Sequence, residues 1–239
     1  RRIRRLLALD DDLEDTGARR ILIDCKHMSA KSRKEYYEQI LTPANDKLAA
    51  RDLPPMPVIL SHAGYAGVDS LDELIEGTAH EDDEWRVGPY YAWNLNFCAE
   101  DIRMVLATDG IFGVCLDQRV AGVHAKQRVH DAQWPHVLMQ QILGVVDAIM
   151  LDDRYSDEQK IKIWDCIGLG TDYDGLIDPM SRYPTTLDLE QLARDLHAAL
   201  TSISHTRMIE QVGVDTIVEN FCWRNAWNLV KTHFPYACR

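Results

Sequence analysis

The sequence predicts an α/β fold built on a parallel sheet, and two observations predict it. Four short runs, Ile21–His27 (ILIDCKH), Pro57–His62 (PVILSH), Gly110–Asp117 (GIFGVCLD) and Cys166–Asp172 (CIGLGTD), are nearly continuous in Ile, Val, Leu and Gly. Such runs read as strands covered on both faces. Helical patterns lie between them, and strand alternating with helix is the order of βαβ units. The length of 239 residues lies near the ~250 residues of one (β/α)₈ barrel.

The elements follow in order. The start, Arg1-Arg2-Ile3-Arg4-Arg5-Leu6-Leu7, lacks an initiating Met, and its apolar stretch is too short for a secretory signal. It reads as the middle of a helix, so the chain is expected to begin inside a longer protein. After the first strand, Ser29 offers an N-cap for a helix over Ser29–Thr42. Pro57–His62 follows as the second strand. Ala63–Asn94, rich in Gly, Asp, Glu and aromatics, reads as a long loop. Glu100–Thr108 begins acidic, which suits the positive end of a helix dipole. After the third strand, Gln118–Pro135 is a second long loop carrying Arg119, His124, His130 and Trp134. Trp134–Leu151 is amphipathic, with Val137, Ile142, Val145, Val146 and Ile149 as its inner stripe. Helices over Leu187–Leu200 and Thr216–Thr232 follow the fourth strand. No repeat, low-complexity tract or linker divides the chain, so residues 1–239 read as one domain or part of one.

Composition removes several classes of function. Lys and Arg total 26 against 38 Asp and Glu, for a net charge of −12. Nucleic acids and anionic membranes call for a basic face, so neither is expected as a partner. No apolar run approaches the ~20 residues of a membrane span. The cysteines at 25, 98, 115, 166, 222 and 238 form no C-x-x-C pair, which argues against a Cys₄ zinc site and a dense disulfide framework. Cys25, Cys115 and Cys166 read as buried free thiols, and the expected compartment is the cytoplasm.

Strand alternation supplies the first chemical clue. Ile21, Ile23, Cys25 and His27 share a face; so do Val58, Leu60 and His62, and so do Cys166, Gly168, Gly170 and Asp172. Each stripe is apolar or small until its last member, which is His, His and Asp in turn. Loops after the strands form the functional end of parallel α/β folds. Imidazole and carboxylate are ordinary ligands of zinc and similar metals, and a carboxylate also serves as general base to a metal-bound water. Alternation sends Lys26 away from this stripe, so a carboxylated-lysine bridge is not expected. His80 reads as solvated, and His124 and His130 as surface residues. Trp85, Tyr90, Tyr91 and Trp93 either wall a substrate pocket or pack their loop down.

These residues carry a resemblance. IDCKHMSAKS, PVILSHAG, NFCAEDIRMVLATDGIFGVCL and IGLGTDYDG resemble, in the same order, four blocks of the membrane (renal) dipeptidase family, the peptidase M19 group. SRYPTTLDLEQLARDL and Asn225 in RNAWNLV resemble its closing helices. The resemblance implies a TIM-like (β/α) barrel of the metallo-dependent hydrolase type, of which this chain represents roughly the second half, strands five to eight. It implies that His27 and His62 bind a metal, usually zinc. Asp172 is then the catalytic carboxylate near the nucleophilic water. Asp174, which with Gly175 completes the motif, lies on the substrate side as a loop-fixing residue rather than a metal ligand.

The departures are equally specific. The family's H-x-D pair, bridging Glu and fourth-strand His have no match, so two metals in the family become at most one here. The family's dipeptidases place a carboxylate-holding Arg before the Asn matched by Asn96, and Leu95 stands there instead. Arg119 is the alternative holder expected from the next strand. The expected activity is metal-dependent hydrolysis of a dipeptide or similar small amide, with this chain nearly inactive alone and paired with itself or with a missing N-terminal half. The competing expectations are a non-catalytic binding protein on the same scaffold and an amidohydrolase acting on N-acyl amino acids.

Overall fold

The computed structural model describes residues 2–77, 86–123, 129–204 and 206–234. Helix α1 (Arg2–Leu6) leads to α2 (Ala30–Tyr36), which continues through a π-helical turn, Tyr37–Leu41, into α3 (Thr42–Ala49). Strand β1 (Ile59–Ala63) and α4 (Leu71–Gly77) follow. A small antiparallel hairpin, β2 (Arg86–Val87) and β3 (Tyr90–Tyr91), comes next. Then come α5 (Ala99–Ala107), β4 (Ile111–Val114), α6 (Trp134–Met150), α7 (Asp157–Ile161) and β5 (Ile167–Leu169). Four helices close the described chain: α8 (Leu189–Ser202), α9 (Arg207–Val212), α10 (Val214–Glu219) and α11 (Asn225–His233).

The α/β class predicted from sequence is the one observed. β1, β4 and β5 form one sheet in that order, all parallel. Leu60 pairs with Phe112, and Phe112 with Ile167. The first predicted strand is reduced to a single parallel bridge between Asp24 and Ile59, with Cys25 N donating to the Ile59 carbonyl. Spatial order therefore follows chain order, as successive βαβ units require, but the described residues form an open sheet and not a closed barrel. The strands are also shorter than predicted. The ladder ends as Cys115 N donates to the Ala63 carbonyl, and Asp117 then bridges to Pro179.

Close packing of the ladder around Ser61 depends on two glycines. A Cβ on Gly113 would stand 2.3 Å from the Ser61 carbonyl oxygen, and one on Gly170 would stand 2.1 Å from it. No side chain fits there, so GIFGV and GLGTD bring three strand ends together beside His62. On the helical side, α6 buries Trp134, Leu138, Ile142, Val145, Val146 and Ile149. Leu138 is fully buried in that stripe, and the predicted Val137 packs against the core partly buried. The last β-strand is tied to α11 by Asn225, whose side-chain amide donates to the carbonyls of Trp164 and Ile167 at 2.8 Å each.

The first of the two predicted long loops contains structure. Ala63–Asn94 holds α4 and the hairpin, where Tyr90 meets Tyr65 edge-on at 4.9 Å and donates its hydroxyl to the Gln140 carbonyl. Tyr91 stacks on Trp93 at 5.8 Å. Tyr90 packs its loop onto α6 beside Gly144; Trp85, like His80, His124 and Cys238, lies outside the described residues. The described cysteines are free. Among the described residues no helix is long and apolar enough to cross a membrane.

Candidate functional site

His27, His62 and Asp172 converge at the carboxyl ends of the parallel segments. The Nε2 atoms of the two histidines are 3.1 Å apart, with ring centroids 5.0 Å apart and planes tilted by 57°. Asp172 Oδ2 lies 3.8 Å from His62 Nε2. Both His27 (φ 69°) and Asp172 (φ 55°) adopt the left-handed backbone region, where side chains other than glycine are uncommon and strained. The chain turns sharply at each, and the turn delivers the side chain to the cluster.

The local sequence explains both turns. Asp24 Oδ1 accepts from Lys26 N at 3.0 Å and from Ser61 N at 3.3 Å, so one carboxylate shapes the turn before His27 and ties it to β1. Met28 N donates to the Cys25 carbonyl and closes that turn. At the other end, Gly175 N and Leu176 N donate to the Asp172 carbonyl. A Cβ at Gly175 would lie 2.5 Å from Asp172 Oδ1, so the glycine of GTDYDG leaves the carboxylate its space.

Burial shifts His62 toward its neutral form. Burial lowers its pKa first; the charges of Lys26 and His27 lower it further, against an opposing pull from Asp172. Ser61 Oγ lies 2.8 Å from His62 Nδ1. With the proton on Nδ1 and the hydroxyl accepting, the Nε2 lone pair faces the cluster, the form a metal ligand needs.

The fit to a metal can be tested on the spacing. Two nitrogens 3.1 Å apart, each about 2.05 Å from a shared zinc, subtend about 98° at it. That lies between the octahedral right angle and the tetrahedral angle, so the two imidazoles fit one edge of a coordination shell. Among the described residues no group of three His, Cys, Asp or Glu side chains is arranged to hold a metal ion. Asp172 Oδ2, 3.8 Å from His62 Nε2, is the carboxylate oxygen facing this pair.

The remaining predicted residues sit around this centre. Arg119 follows β4, and its guanidinium is held by Asp117 through Nε–Oδ1 at 3.0 Å and Nη2–Oδ2 at 2.7 Å. Asp117 Oδ2 also accepts from the backbone of Ile177 and Asp178, so this pair fastens the loop after Asp172. Asp174 is exposed one residue beyond Tyr173. His130 is exposed and precedes α6. Two clefts of about 500 and about 510 Å³ lie elsewhere, one lined by Tyr65, Tyr90 and Asp147, the other by Asp109, Asp165 and His233. The histidine cluster lies instead on an open rim, with His27 exposed.

Lys26 departs from the alternation argument. Residues 25–27 turn rather than extend, so the period of two does not apply. The Lys26 side chain is buried and donates to the Leu95 carbonyl at 3.3 Å. Burial lowers its pKa, with Cys115 and Asp172 acting in the opposite sense. It therefore shares the end of the sheet that carries the cluster.

Sequence reasoning missed Arg33 altogether. Its side chain and that of Asp101 are 0% exposed, and Arg33 Nε donates to Asp101 Oδ1 at 3.0 Å. Arg33 also donates to the carbonyls of Met28, Asn94 and Asn96, and lies over the Phe97 ring at 4.5 Å. It clamps the segment after His27 to the loop that carries Leu95. No short-range signal marks it, because its carboxylate partner lies 68 residues away in the sequence.

No protein-family profile matches the chain, and no curated protein matches it. Among solved structures, the chain is similar to one described as the crystal structure of the dipeptidase AC, a metallopeptidase of family M19. The identity is 13% and the TM-score 0.47, over 88% of this chain and 44% of that one. The chain thus spans less than half the length of that protein.

Proposed function

We propose that this chain carries part of the site of a metal-dependent hydrolase resembling membrane dipeptidase, acting on the amide bond of a dipeptide or similar small amide. One observation carries the proposal: two histidine Nε2 atoms at 3.1 Å with a carboxylate 3.8 Å from one of them, at the end of a parallel sheet where active sites lie.

His27 and His62 would hold the metal, zinc by the chemistry of their donors. A bound divalent metal lowers the pKa of its water and polarises a carbonyl. The protein's own part is to orient and to move protons. Asp172 Oδ2 accepts a proton from the attacking water and returns it to the leaving amine. Gly175 keeps that carboxylate in place, and Ser61 fixes the His62 tautomer. Two imidazoles fall short of the three protein ligands usual for catalytic zinc, so these residues alone would give little turnover.

That same count favours a second reading, binding of a small ligand without turnover. Metal analysis separates the two. The hydrolase proposal expects zinc in the wild type and its loss from the His27→Ala/His62→Ala protein. Equal zinc content in both proteins would remove the metal from these histidines and leave the binding reading.

A further inference from the structure

The cleft between α5 and α6 shares no residue with the histidine cluster and is built from different chemistry. It measures about 500 Å³, within the size range of small-molecule sites. Two tyrosine rings line it: Tyr65, just past β1, and Tyr90 of the hairpin, edge-on at 4.9 Å. Glycine makes room for them on α6, where a Cβ at Gly144 would stand 2.6 Å from the Tyr90 hydroxyl and 2.7 Å from the Tyr65 ring. Tyr65 is 9% exposed, and among the described residues its hydroxyl has no hydrogen-bond partner, whereas the Tyr90 hydroxyl donates to the Gln140 carbonyl. Burial raises the pKa of the Tyr65 hydroxyl to about 12. It is therefore protonated at neutral pH, able to donate to a ligand and to accept from one.

Charge gives the cleft its sign. Four carboxylates, those of Asp69, Asp147, Asp152 and Asp153, line it against two guanidiniums. Both guanidiniums are engaged, Arg103 with Asp69 at 2.9 Å and Arg154 with Asp152 through Nε–Oδ1 at 2.8 Å. Asp153 is exposed. Asp147 stands on α6 one turn beyond Gly144, on the face that seats the two rings, and among the described residues no cation pairs with it. Partial burial raises its carboxyl above the ordinary value. One turn further on, Leu151 is 82% exposed at the cleft, so an apolar side chain flanks the open carboxylate. A hard metal ion gathers several oxygens at one point, and here two of the four carboxylates are taken by guanidiniums. An ammonium needs one carboxylate and also suits aromatic walls. We infer that this cleft binds a small organic amine, with the ammonium on Asp147, the apolar body against Leu151 and the tyrosine rings, and the Tyr65 hydroxyl as a second hydrogen-bonding point.

Calorimetric titration of the full chain tests it, with EDTA present so that no metal takes part. The probes are tyramine and 4-(2-hydroxyethyl)phenol, which has a hydroxyl where tyramine has its ammonium. Tyramine is expected to bind about tenfold or more tightly, the scale of a hydrogen bond to a charged group. Asp147→Asn should bind the two alike, whereas Asp153→Asn, which removes an exposed charge of the same cleft, should keep the preference. Tyr65→Phe should weaken both probes severalfold. In protein labelled with ¹³C-tyrosine, tyramine should move the Tyr65 and Tyr90 ring resonances, assigned from Tyr65→Phe and Tyr90→Phe. Equal binding of the probes by the wild type overturns the inference, as does a preference that survives in folded Asp147→Asn or is lost in Asp153→Asn. So does Tyr65→Phe binding as tightly as the wild type. Tyramine that fails to bind at millimolar concentration, or binds with both rings unmoved, overturns it too. Should Asp147→Asn not fold, the ring resonances and the Asp153→Asn comparison decide alone.

Discussion

Replacing Asp101 with Asn tests whether the site end of the sheet hangs on one buried ion pair. Asp101 Oδ1 accepts from Arg33 Nε and from the Tyr37 hydroxyl, each at 3.0 Å. Oδ2 accepts from Arg33 Nη2 at 3.1 Å and from Cys98 N at 3.0 Å. Asparagine keeps the shape, turns one acceptor into a donor, and leaves Arg33 as a buried charge without its counter-ion. Breaking such a pair from one side costs about 3–5 kcal/mol. For a chain of 239 residues, at about 2–4 °C per kcal/mol, the melting temperature should fall by roughly 6–20 °C. Thermal unfolding followed by circular dichroism, with urea unfolding as a second measure, reads it. Lys34→Ala, which removes an exposed pair with Asp72, is the control and should cost less than about 1 kcal/mol. A fall of less than about 2 °C in Asp101→Asn, or one no larger than the control, would refute the claim that this pair holds the loop.

Three further outcomes follow from the same geometry. Gly175→Ala should displace the Asp172 carboxylate, since the new methyl would start 2.5 Å from Oδ1. A stability loss of about 1–3 kcal/mol and a displaced Asp172 in a crystal structure would bear this out, and an unmoved carboxylate would contradict it. Because the folded His62 pKa lies below the unfolded value, the metal-free protein gains stability from His62 that is fully present above the unfolded pKa of about 6.5. That stability is lost as pH falls from there through the folded pKa. Urea unfolding between pH 5 and 8 should show a shallower decline in His62→Gln than in the wild type, and parallel curves would count against it. Asp117→Asn should free Arg119 and loosen residues 177 and 178, seen as faster amide hydrogen exchange there; unchanged exchange would show that the pair is decorative.

The site was legible because each strand run ends in a polar residue after an apolar stripe. His27, His62 and Asp172 could be placed together from that ending alone. The route to His27 was not legible, because alternation assumes extended backbone, while Asp24 and the left-handed His27 turn the chain. The same turn removes the basis for placing Lys26 by alternation. The helix Leu71–Gly77 is hidden in a polar stretch and has too few turns to show a period. The π-helical turns at Tyr37–Leu41 and Asn220–Arg224 shift the helical period without any mark in composition. Nothing in the sequence marks Arg33, because long-range pairing leaves no trace in the residues beside it. Closure of the sheet into a barrel came from resemblance and is not seen in the described residues.

The central claim is that His27 and His62 share one metal ion. Crystals grown from zinc-loaded protein, measured on both sides of the zinc absorption edge, test it most directly. The account predicts one anomalous peak about 2.0–2.1 Å from both Nε2 atoms, with Asp172 beside it, and no peak there in His62→Ala. Zinc bound elsewhere, or a peak on one histidine that survives loss of the other, would contradict it.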